Sequence, residues 1–127
     1  MNMAIPGFEP SFLVGIDAIR DAHGSHLAAL VGRRLTALAL IRFTEDGQSF
    51  ADCPVVLDFD GIQAELCHRK LDELSIGWNT IDTTAMITGW QRSQYTPQWS
   101  RSNSRLEPFP DHELREITLV EWRPFTP

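Results

Sequence analysis

The chain holds a single lysine, Lys70, among its eleven basic residues, and a single tyrosine, Tyr95. Seventeen acidic residues leave a formal net charge of -6. That deficit of positive charge speaks against a nucleic-acid binder, which needs a basic face to neutralise phosphates. The local exception is an acid-free run containing Arg92, Arg101 and Arg105. Cysteine is scarce too, at Cys53 and Cys67, which fits a reducing compartment, and the sequence reads as cytoplasmic. No long apolar run is present. The tract from His26 to Phe43 is interrupted by Gly32-Arg33-Arg34, so no membrane span is expected. Residues 1–10 lack a basic leader and carry Pro6 and Pro10, which speaks against a targeting segment. Low-complexity segments and dividing linkers are also missing, so 127 residues read as a single domain, 1–127.

What is present is an ordinary globular composition, 43% hydrophobic and 22% charged. The pattern predicts an α+β fold: an N-terminal helical segment followed by an antiparallel β-sheet, or partly closed barrel, of about five or six strands. Residues 1–10 read as an extended arm. Residues 11–31 read as helical, because Phe12, Ile16, Ile19, His23, His26 and Leu30 recur every three or four positions. Ser11 is the expected cap. Gly24-Ser25 is the expected break, dividing the segment into two short helices. Residues 35–122 read as the β region, with an irregular excursion over 83–110. Leu35 to Phe43 and Leu114 to Trp122 share a pattern of apolar positions and both read as strands, the second as an edge through which two copies would pair.

The stretch Val55 to Leu66, VVLDFDGIQAEL, is open to two readings. As a hairpin turning on Asp60-Gly61, it pairs Phe59 with Ile62, Leu57 with Ala64 and Val55 with Leu66 on one apolar face. The other face then carries Asp58 opposite Gln63 and Val56 opposite Glu65 and reads as solvent-facing. The same register sends Cys53 and Cys67 to opposite faces, which disfavours a disulfide. The second reading starts from the string Asp58-Phe59-Asp60-Gly61 after an apolar strand. It resembles the first motif of the haloacid-dehalogenase phosphatases. That resemblance implies a Mg²⁺-dependent hydrolase with Asp58 as nucleophile and Asp60 as general acid/base. Ile62 stands where that motif has a hydroxyl-bearing residue, and later motifs of the family are not found. The stretch Cys53 to Asp82 is also similar to a family of small uncharacterised bacterial proteins in which a strand pair precedes an L-S-I-x-W strand. That resemblance implies β structure and no activity.

Two further groups are candidates for chemistry or recognition. Asp21, His23 and His26 form a D-x-H-x-x-H cluster, an alternative metal site if a continuous helix brings the histidines onto one face. Trp78, Trp90, Tyr95 and Trp99 are the candidate binding residues, since such side chains offer rigid apolar faces with a polar handle. The expected function is a non-enzymatic protein-interaction or binding module, taking a protein or peptide partner and no nucleic acid, and requiring no cofactor. The alternatives are the Asp58/Asp60 hydrolase and a small-ligand binder with an aromatic-lined pocket.

Overall fold

In the computed structural model the described residues form one helix and a six-stranded antiparallel sheet that is not closed into a barrel. The description covers residues 4–49, 52–70, 72–88, 90, 95–102 and 113–121. The elements are β1 (Leu13–Val14), α1 (Ile16–Leu30), β2 (Leu35–Phe43), β3 (Val55–Phe59), β4 (Ile62–Arg69), β5 (Glu73–Trp78) and β6 (Pro97–Ser102). Their order in the sheet is β1-β5-β4-β3-β2-β6. The centre is thus a meander in which each strand pairs with its sequence neighbour, and β1 and β6 form the edges.

The β3–β4 hairpin takes the register expected from the alternation of Val55 to Leu66, with Phe59 opposite Ile62 and Val55 opposite Leu66. Its turn puts Asp60 and Gly61 both at positive φ, 54° and 91°. Such a two-residue turn matches the right-handed twist of the flanking strands, and glycine adopts it without steric cost.

Both faces of the sheet are covered, and this corrects the expectation of a solvent-facing side. On one face, Leu27 and Leu30 of α1, with Leu114 and Ile117, pack over Phe59, Ala64, Leu57 and Trp78. On the other, Ile5, Phe8, Ile81 and Ile87 pack over Ala39, Ile41, Val56 and Cys67. The expected arm is therefore part of the core at Ile5 and Phe8. Cys53 and Cys67 join this second cluster together rather than parting to opposite faces, and both are free thiols.

Three more expectations are corrected. Helix α1 runs unbroken through Gly24-Ser25, and its N-cap is Gly15; Ser11 precedes β1 and donates its backbone N–H to Ser75 Oγ. Glycine costs about 1 kcal/mol inside a helix, and burial of Ile19 and Leu30 on either side of Gly24 outweighs that penalty. The stretch 114–121 is not a strand. It is tied at one end by an isolated Arg34–Glu113 bridge and by Leu114 bonding Gly32 and Arg33, and Trp122 lies outside the described residues. Within the excursion 83–110, residues 97–102 form β6, while 103–110 lie outside the described residues. Among the described residues no helix is long and apolar enough to cross a membrane.

Candidate recognition surface

The end of β2 and the start of β6 build an aromatic recess. Antiparallel pairing sets Phe43 opposite Pro97. Just beyond, the Thr44 N–H donates to Thr96 O at 3.0 Å, and the Thr96 N–H donates to Glu45 Oε1 at 2.6 Å. That Thr96 amide, with further hydrogen bonds, holds the Glu45 carboxyl below the usual range. So fixed, the chain brings the Phe43 ring to 4.9 Å from Tyr95 and 5.9 Å from Trp90, both tilted. These are ordinary separations for attractive aromatic pairs. A recess of about 290 Å³ opens beside them, lined by Met86, Ile87, Thr88, Trp90, Tyr95, Thr96 and Pro97. Its floor is anchored by Ile87, which is buried in the core, whereas Met86 at its rim is 80% exposed and Tyr95 37% exposed.

The four candidate binding residues therefore separate. Trp90 and Tyr95 line the recess. Trp99 packs onto the core cluster across from Ile41, and its indole Nε1 is buried with no hydrogen-bond partner among the described residues. Trp78 lies at the end of β5 against α1, where its Nε1–H donates to His23 Nδ1 at 3.1 Å. His26 stacks on the same indole at 5.1 Å between ring centroids.

The unbroken helix does bring His23 and His26 to one side, as the metal alternative requires. Their partner there, however, is Trp78. Its hydrogen bond occupies the Nδ1 lone pair that a metal would need. Asp21 is exposed and lies about 200° around the helix from His23. Among the described residues no three His, Cys, Asp or Glu side chains group to hold a metal ion. Burial, and then the neighbouring His26, pushes the pKa of His23 down.

Asp58 and Asp60 lie at the C-terminal end of β3, but a hairpin turn into β4 follows them rather than the helix N-terminus that the phosphatase motif needs. They serve the hairpin instead. Asp58 Oδ1 accepts the Gly61 N–H at 2.8 Å, Asp58 Oδ2 pairs with Arg101 Nη2 at 2.8 Å, and Asp60 Oδ2 accepts the Arg34 N–H at 3.0 Å. Burial opposes ionisation of Asp58, but Arg101 and the Gly61 amide outweigh it and hold the carboxyl below its usual value.

Two features escape a reading of the sequence. Glu65 is 4% exposed, and its carboxylate accepts hydrogen bonds from Gln63 Nε2, Thr80 N–H, Thr80 Oγ1 and Ile81 N–H at 2.7–2.8 Å. Its role depends on a loop fifteen residues away, which no local pattern announces. A second recess of about 290 Å³ lies among Phe8, Phe12, Asp52, Cys67, His68, Arg69 and Lys70. The Cys67 thiol there donates to Asp52 O at 3.4 Å. Burial and Asp52 push its pKa up, and burial pushes that of Cys53 up to about 12. Neither thiol is set up as a nucleophile, since the thiolate is the reactive form. No family model, curated protein or solved structure matches the chain.

Proposed function

We propose that this protein is a non-enzymatic interaction module that holds an apolar side chain of a protein or peptide partner in the recess of Met86, Trp90, Tyr95 and Pro97. The observation that carries this reading is Met86, 80% exposed at the mouth of an aromatic recess whose floor is the buried Ile87. Exposed apolar side chains gathered around a concavity are typical of interaction sites, and methionine adapts its shape to what it meets. Tyr95 and Trp90 belong to the residue types enriched at binding hot spots, and the Phe43 ring orders them before a partner arrives. A net charge of -6 further favours a protein partner over nucleic acid. Two free buried thiols, Cys53 and Cys67, support a reducing compartment such as the cytoplasm.

A small ligand is the second reading, favoured by the aromatic lining. The recess volume of about 290 Å³ sits at the lower end of what ligand pockets offer.

The test is co-purification from the native host, followed by mass spectrometry, with wild-type protein and the Met86→Glu and Tyr95→Ala variants. One stoichiometric partner held by wild type and lost by both variants is the expected result. Monomer that brings down nothing, or that turns over phosphate esters with Mg²⁺, contradicts the proposal.

A further inference from the structure

We infer that β6 is a dimerisation edge: a second copy of this chain adds its own β6 antiparallel to the first, with Ser100 on the two-fold axis, so that the two sheets become continuous.

The hydrogen-bond phase of β2 sets which backbone groups of β6 face outward. The Phe43 N–H points away from β6, to Gln48 O, while the Thr44 N–H points towards β6, to Thr96 O. In an antiparallel ladder these directions alternate residue by residue. The pairs Arg42–Gln98, Leu40–Ser100 and Leu38–Ser102 therefore exchange the bonds between β2 and β6. The backbone groups of Pro97, Trp99 and Arg101 consequently point outward, along the edge of the sheet.

That phase also explains how a proline can begin the strand. The donor missing at Pro97 lies on the outer edge and interrupts nothing in the β2–β6 ladder. Among the described residues nothing pairs with the outward N–H and C=O groups of Trp99 and Arg101. The opposite edge of the sheet, β1, has only two residues and offers no comparable length.

The outward groups are self-complementary in one register. With Ser100 on the axis, Trp99 exchanges both bonds with Arg101 of the second copy, and Arg101 with its Trp99. A slip of two residues towards Pro97 would set Arg101 against the position that lacks an N–H and leave its carbonyl unbonded. Charge permits the approach. No acidic residue lies in β6, and Arg101 is turned across β2 to pair with Asp58 at 2.8 Å. The chosen register sets each Arg101 opposite an indole rather than opposite a second guanidinium. A six-residue edge buries little area, so the dimer is weak and concentration-dependent.

Cysteine cross-linking tests the register. Ser100 faces its own copy as a non-hydrogen-bonded pair, in which Cα atoms lie about 4.5 Å apart, close enough for a disulfide. A Ser100→Cys variant is expected to give a covalent dimer on mild oxidation, while Gln98→Cys, whose opposite number is residue 102, does not. The native thiols are buried and do not compete. Sedimentation tests the edge itself. Wild type should rise with concentration from the 14.4 kDa chain mass towards twice that value. Arg101→Pro, which removes an outward N–H but no β2 bond, should weaken association roughly tenfold or more, because one backbone bond is lost twice per dimer. Arg101→Ala keeps that N–H and should associate more tightly than Arg101→Pro. The inference is overturned if Ser100→Cys stays monomeric on oxidation, if wild type sediments as the single chain at every concentration, or if Arg101→Pro associates as well as Arg101→Ala.

Discussion

The Glu65 carboxylate, on a residue only 4% exposed, binds the 79–82 loop to β4 through Thr80 and Ile81. Removing it takes the shared acceptor from the Thr80 N–H and hydroxyl and from the buried Ile81 N–H. Glu65→Ala should therefore cost on the order of 3 kcal/mol in urea denaturation, the range for a broken buried network that includes an acidic group. Gly77 belongs to the same arrangement, since a Cβ there would stand 2.6 Å from Glu65 Oε1. Gly77→Ala should destabilise wild type markedly and the Glu65→Ala background much less, and a double-mutant cycle reads that coupling. His23 supplies a pH dependence. Its folded pKa lies below the ordinary 6.5, through burial and then through His26, so the folded state binds the proton more weakly than the unfolded chain. Its contribution to stability is whole above 6.5 and is lost as pH falls below that value towards the lowered one. The melting temperature should drop across that interval, Trp78 fluorescence should change with it, and a His23→Gln variant should flatten both responses.

At the scale of elements, the helix offers a clean test of why it stays continuous. Gly24 lies inside α1 at ordinary helical φ, and a Cβ added there meets only the Arg20 Cγ at 3.4 Å. Gly24→Ala should accordingly stabilise the protein by about 0.5–1 kcal/mol, seen as a higher urea midpoint with an unchanged slope. The sequence made some elements plain and hid others, for identifiable reasons. The β3–β4 hairpin was readable to the residue because its two-residue turn needs positive φ and its alternation has period two. The solvent-facing side assigned to Val56 and Glu65 was not. What covers it is Ile5, Phe8, Ile81 and Ile87, which lie at least sixteen positions from Glu65 along the chain. The stretch Leu114 to Val120 has the composition of a strand and the apolar pattern of β2, yet residues 114–121 are not one. Strand preference acts through cross-strand neighbours, and among the described residues this stretch bridges only at Glu113 to Arg34. Of the candidate site, Trp90 and Tyr95 were visible as residue types, whereas Met86 gained its place only when β6 folded back against β2.

For the molecule as a whole, the two proposed surfaces adjoin without competing. The recess lies where β6 begins, at Thr96 and Pro97, and the proposed dimer edge is centred on Ser100 of the same strand. An antiparallel arrangement about Ser100 sets the two Pro97 ends in opposite directions, so each copy keeps its own recess. A dimer with two recesses would hold a partner that displays two matching side chains more tightly than either recess alone. The recess is tested most directly by measuring the amount of partner retained per chain by tagged wild type and by Met86→Glu in parallel purifications from the native host, at equal folded protein as judged by circular dichroism. The expected result is one stoichiometric partner on wild type and at least about a tenfold reduction on Met86→Glu, because a charge would have to be buried at a hot spot. Equal retention by the two proteins, or no stoichiometric partner on wild type, would contradict it.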